Sequence, residues 1–148
     1  MNPQLNFIFS RRSIRKFTQR EIPEILLTDL LEAAMAAPSA VAKDPWHFIV
    51  LRNRAALDQL ATILPNGKML SGAAAALVVC GDVNQAHDQE LSFLLQDLSA
   101  AVENILLAAS ALGLGACWLG IHPREERIAA IVQQFSLPEN ILPMAGIA

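Results

Sequence analysis

A central β-sheet covered by helices on both faces is the architecture this sequence predicts, and three observations predict it. Helical and strand-like segments are interleaved along the whole chain instead of being gathered into separate blocks. The run AAAALVVCGD at 73–82 is continuously apolar and of strand length, the pattern of a strand buried on both faces. The stretch from Gln89 to Leu112 reads as one long helix with apolar residues at 91, 94, 95, 98, 102, 105, 106, 109 and 112. Small residues fill much of the remainder, so nearly all of that helix belongs to the interior.

The other elements follow in chain order. NPQLNFIFSRRS is a short first helix, and PEILLTDLLEAAMAA a second. Pro23 suits the first turn of that second helix, Leu26, Leu27, Leu30, Leu31 and Ala34 form its apolar stripe, and Pro38 stops it. WHFIVLR at 46–52 is the first strand, RAALDQLATIL a helix, and 73–82 the second strand. On the long helix Asp97 and Asn104 are seven residues apart and so share a face. Gly113 and Gly115 end it. ACWLGI is a third strand, PREERIAAIVQQF a helix with Pro123 at its start, and PMAGIA a fourth strand.

With 148 residues the chain suits one domain and one core. At 53% hydrophobic and 17% charged it is too apolar for disorder, and apolar enough for part of its surface to be buried against a second copy. The formal net charge of −3 speaks against generic nucleic-acid binding. Cys80 and Cys117 sit in apolar runs with no zinc or redox spacing, as reduced core residues do. No segment has the form of a signal peptide, and no apolar run reads as long and uninterrupted enough to span a bilayer. The cytoplasm is the expected location.

Residues 11–20 nevertheless carry five of the eleven cations, Arg11, Arg12, Arg15, Lys16 and Arg20. A cluster this local fits a small anion better than a broad basic face does. Arg11, Ser13 and Arg15 alternate, so in an extended segment they point the same way, and two guanidiniums with a hydroxyl can wrap a phosphate. The bland alternative is a solvated helix end whose cations complement the dipole. The turn APSAVAKDPW is explained as a helix stop and strand entry by Pro38 and Pro45, yet small residues at 39, 40 and 42 also permit close approach to a flat ligand. LGLGACWLGI does not match a dinucleotide fingerprint, because Gly120 comes too late and the glycines follow a helix instead of opening one.

His47, His87 and His122 show no metal-ligand spacing, neither cysteine has a basic neighbour, and Asp97 and Glu103 read as packing or interface groups. A phosphate grip, a small-residue turn and a glycine-lined strand, with no catalytic side chain, point to a cofactor that carries its own reactivity.

Four blocks in order, SRRSIRKF, AAPSAVAKDPWHFIV, AAVENILLAASALGLGACWLGI with PREERIAAI, and LPENILPMAGIA, resemble the nitroreductase family of flavin enzymes. The resemblance implies a three-layer α+β fold with a mixed central sheet, spanning 1–148 as one FMN-binding domain, in an intertwined homodimer with FMN between the subunits. It implies ping-pong transfer of a hydride from NAD(P)H through flavin N5 to a nitroaromatic, a quinone or a similar acceptor. By position, Arg11 and Arg15 would hold the FMN phosphate, and Arg12 and Ser13 the ribityl chain or phosphate. Pro38, Ser39 and Ala40 of the other subunit would flank the isoalloxazine. Trp118, Leu119 and Gly120 would offer backbone on its other side, and Asn66 and Lys68 would reach the ring's polar edge.

Two departures qualify this. The family turn reads Pro-Ser, two residues, Asn, one residue, Gln-Pro-Trp; here Ala42 replaces the Asn and Asp44 the Gln. Ala42 offers no side-chain hydrogen bond. Asp44 brings a carboxylate that disfavours an anionic ligand unless Lys43 or an arginine pairs with it. Family members also continue past the last strand into a tail, which is expected to be absent here. Ala42 and Asp44 support a second reading, a non-catalytic flavin- or nucleotide-binding protein on the same dimeric fold, and a third reading takes the arginines as an interaction patch for an acidic partner.

Overall fold

A computed structural model describes residues 2–18 and 20–148. Its helices are α1 (Asn6–Ser10), α2 (Glu24–Met35), α3 (Arg54–Ile63), α4 (Leu91–Ala111) and α5 (Glu125–Phe135), and its strands β1 (Trp46–Leu51), β2 (Ala76–Asp82), β3 (Trp118–Gly120) and β4 (Ile141–Ile147). The strands form one sheet in the order β1-β2-β4-β3, antiparallel at every pairing. The mixed sheet implied by the resemblance is therefore reduced, among the described residues, to one isolated parallel bridge between Ser13 and Ala116.

All of β2 is buried, as its unbroken apolar run requires. Alternation divides it between two cores. Leu77 and Val79 join α2 and α4 on one face, with Leu94, Leu98, Val102 and Ile105. Val78 and Cys80 join α3 and α5 on the other, with Leu57, Leu60 and Ile131. This is the expected helix–sheet–helix layering. Burial pushes the Cys80 thiol up to about 12, so it stays protonated and inert. Pro143 lies inside β4, a strand paired on both sides, where its missing N–H would break a ladder. The pairing skips there: Val79 faces Ala145 and Cys80 faces Pro143, which leaves Met144 in a bulge. The freed Met144 carbonyl accepts from the N–H groups of Ile121 and His122, at 3.2 and 3.0 Å.

Helix α4 seats closely on β2 because position 81 is glycine. A Cβ there would lie 2.5 Å from Leu94 Cδ1 and 2.9 Å from Leu98 Cδ1. By length and composition α4 is long and apolar enough to cross a membrane, contrary to the sequence reading, and its apolar residues pack on the sheet and α2. The helix ends in a Schellman motif. Gly113 takes φ +73°, Leu114 N–H donates to Ala109 O at 2.8 Å, and Gly113 N–H donates to Ser110 O at 3.2 Å.

Several boundaries move from their expected places. Helix α1 stops at Ser10, so Arg11–Ser13 are not helical. Pro23 is the N-cap of α2, its carbonyl accepting from Leu26 N–H at 3.0 Å. The third strand is only Trp118–Gly120, because Ala116 pairs with Ser13 and Cys117 exchanges two 3.0 Å backbone bonds with Ala148. Pro123 precedes α5 instead of opening it, since Arg124 is still extended at φ −84°, ψ 103°.

Candidate functional site

The arginine-rich segment is extended, and one backbone contact places it. Ile14 N–H donates to Ala116 O at 3.0 Å, within the parallel bridge of Ser13 and Ala116. Gly115 makes room: a Cβ there would meet Ile14 Cγ2 at 2.8 Å and Ile14 Cβ at 3.0 Å. The cationic segment therefore lies beside the approach to β3, two blocks that are far apart in sequence.

The guanidiniums are weakly engaged within the chain. Arg11 is half-buried, with Nε 3.8 Å from Glu103 Oε1 on α4. Arg12 donates to the carbonyls of Phe9 (3.2 Å) and Arg11 (3.1 Å), and Arg15 to that of Ser13 (3.4 Å). Among the described residues Glu103 is the one carboxylate at ion-pair distance from Arg11, Arg12, Arg15 or Lys16. Three clustered guanidiniums with donors to spare, on an extended backbone with a serine hydroxyl between them, suit a phosphate group.

The turn after α2 is anchored from below. Asp97, 5% exposed, accepts from Ala40 N–H through Oδ1 at 2.9 Å across 57 positions of sequence, while its Oδ2 is buried without a hydrogen-bond partner. Seven residues on, Asn104 donates to Ala33 O at 2.9 Å. The shared face of Asp97 and Asn104 is thus the surface on which α2 and its following turn are fixed. Within the turn Val41, Ala42 and Asp44 take left-handed conformations, φ +47°, +53° and +49°. For a β-branched residue such as Val41 this is a strained state that persists only where neighbours enforce it. Ser39 helps to enforce it: its hydroxyl donates to Asp44 Oδ1 at 2.5 Å and accepts from Asp44 N–H at 2.9 Å. Among the described residues neither Lys43 nor an arginine lies at ion-pair distance from Asp44.

On β3, Trp118 and Gly120 are exposed and Leu119 is buried. The space beside Gly120 is open, a Cβ there meeting nothing within 4 Å. Arg127 of α5 donates to Gly120 O at 2.7 Å, with its own Nε buried and unpartnered. Nothing in the sequence marked this arginine. Asn66 and Lys68 are exposed, at the N-cap and in the first turn of the 3-10 stretch Gly67–Gly72 that follows α3, and this stretch packs through Leu70 in the layer that also receives Leu119 and Phe17. Pro38 is exposed. No group of three His, Cys, Asp or Glu residues suited to a metal occurs among the described residues.

The Asp97 anchor carries a stability prediction. Asp97→Ala leaves the Ala40 N–H unpaired and lowers the unfolding free energy by about 1–3 kcal/mol, whereas Asp97→Asn retains an acceptor and costs clearly less. Urea unfolding of the two variants measures the difference; equal losses would show that the contact does not hold the turn.

The model of the nitroreductase family matches residues 8–64 and 64–148. A Methanothermobacter thermautotrophicus protein named "Putative NADH dehydrogenase/NAD(P)H nitroreductase" is 47% identical over 143 residues, covering 97% of this chain and 74% of that one. A crystal structure under the same name from Bacteroides thetaiotaomicron superposes with a TM-score of 0.92 at 40% identity, covering 99% of this chain and 84% of that one. The crystal structure of "a putative nitroreductase in complex with fmn" from Desulfovibrio desulfuricans gives a TM-score of 0.89 at 35% identity, covering 100% and 85%.

Proposed function

The chain belongs to the nitroreductase family, and on that premise we propose that it works as an FMN-dependent NAD(P)H oxidoreductase. The observation that carries the reading is the Ser13–Ala116 bridge, which lays a weakly engaged guanidinium cluster beside the approach to a strand with open space at Gly120. FMN, when bound, supplies the redox chemistry: a hydride from NAD(P)H enters at N5 and the electrons leave to a nitroaromatic or quinone in a second, ping-pong half-reaction.

The chain's own part is to bind and orient. Arg11 and Arg15 hold the phosphate by charge-assisted hydrogen bonds, and Arg12 and Ser13 serve the phosphate or ribityl chain. Trp118, Leu119 and Gly120 present backbone to the ring, with Arg127 steadying the Gly120 carbonyl. Asn66 and Lys68 serve the ring's polar edge. Residues 1–148 act as one domain in a homodimer, where the turn Pro38–Ala40 of one chain flanks the flavin held by the arginines of the other. Phe7, Ile8, Phe9 and Ile14, all exposed beside the arginines, are the apolar surface that a twin would bury. We place the protein in the cytoplasm, where its two free cysteines stay reduced.

The test is to titrate the purified protein with FMN and follow NADH and NADPH oxidation with a neutral quinone. Saturable flavin binding with acceptor-dependent turnover is expected. A protein that stays colourless and inactive in excess FMN would overturn the reading.

A further inference from the structure

We propose that Asp44 sets the charge class of the electron acceptor, so that neutral and cationic acceptors are favoured over those carrying a carboxylate near the reducible group. The proposal rests on the flavin reading of this site and adds to it a residue that determines specificity.

A turn rich in left-handed residues ordinarily makes a concavity of backbone N–H groups that attracts anions. This one has spent four of them. The N–H of Ala40 goes to Asp97 Oδ1 at 2.9 Å, that of Ala42 to Ser39 O at 3.1 Å, that of Lys43 to Ala40 O at 3.2 Å and that of Asp44 to Ser39 Oγ at 2.9 Å. The Ser39 hydroxyl hydrogen is likewise committed to Asp44 Oδ1. What the turn presents outward is a carboxylate. Among the described residues no cation lies at ion-pair distance from it. Lys43, its chain neighbour, lines a separate polar cavity of about 410 Å³ with Asn84–Gln89. Asp44 is exposed, yet the Ser39 hydroxyl holds its carboxylate by one hydrogen bond and its backbone N–H by another, so its charge is tethered instead of sweeping freely through solvent. On the flavin reading this turn stands beside the ring, so Asp44 would face a bound acceptor, and a negative charge there would discriminate between charge states by a factor of roughly three to ten.

The experiment compares kcat/KM for 4-nitrobenzoate and 4-nitrobenzamide in the FMN-loaded protein. Asp44→Asn keeps an acceptor for the Ser39 hydroxyl and removes the charge, so the benzoate-to-benzamide ratio should rise about fivefold at low salt. Raising salt to about 0.5 M screens the charge and should lift the wild-type ratio toward that of the variant, a readout that needs no substitution. Wild-type protein that binds FMN and turns over, with a ratio moved by neither Asp44→Asn nor salt, overturns this inference alone. Wild-type protein that binds no FMN overturns the flavin reading and this inference with it.

Discussion

Arg15→Ala should weaken FMN binding by about ten- to a hundredfold, the loss expected when a charged hydrogen bond worth roughly 1.5–3 kcal/mol is removed. The site makes this a clean substitution. Arg15 is exposed, its one bond among the described residues is a long 3.4 Å contact to the Ser13 carbonyl, and no carboxylate among them pairs with it. Its removal should therefore leave folding stability within about half a kcal/mol of wild type. Arg20→Ala, which deletes an exposed cation close by in sequence, is the control. It should change FMN affinity only slightly if the binding is a specific grip and not a general attraction to positive charge. Titration by quenching of flavin fluorescence measures all three proteins. Unchanged affinity in Arg15→Ala would favour the reading in which the arginines meet an acidic macromolecule.

Leu98→Ala should cost about 2–5 kcal/mol of stability, the largest effect expected from a single truncation here. Leu98 is fully buried where α4 meets β2, against a glycine that leaves no side chain able to swing into the space. For a chain of this size the loss corresponds to a fall in Tm of about 5–15 °C, read at fixed protein concentration so that any association contributes equally. The consequence reaches the site, because α4 carries both Asp97, which holds the turn, and Glu103, which meets Arg11. Val50→Ala, at a partly exposed position on edge strand β1, should cost far less. A loss below 1 kcal/mol in Leu98→Ala would mean that α4 can settle into the gap and that its seating on Gly81 is not tight.

Much of the site was legible because its signals are local. Four cations in eight residues, small residues after Pro38 and glycines around 113–120 are visible without a fold. So was the pairing of Asp97 with Asn104 on one helix face, which the helical period requires. What escaped notice involves partners distant in sequence or conformations unusual for the residue type. Nothing local shows that Asp97 receives the Ala40 N–H, or that Arg127 reaches Gly120 O. Left-handed Val41 and Ala42 run against the preferences of both residues. In the sequence the carboxylate at 44 is a charge in need of a cation, and the structure supplies a hydroxyl instead.

By itself the sequence determined which surfaces must leave water, the unbroken apolar run of β2 and the apolar stripes of α2 and α4, because burial follows directly from side-chain chemistry and the repeat of the backbone. The expectation that nearly all of α4 is interior does not hold, since its buried residues are Leu94, Asp97, Leu98, Ala101, Val102, Ile105, Leu106 and Ala109. The end of α4 at Gly113 was equally determined, by the left-handed geometry that glycine permits. Only the tertiary structure decided the strand order β1-β2-β4-β3, the bulge at Met144 and the meeting of Ser13 with Ala116. Those contacts are chosen among competing long-range pairings by how well whole layers pack together, an energy that no single segment of the chain carries.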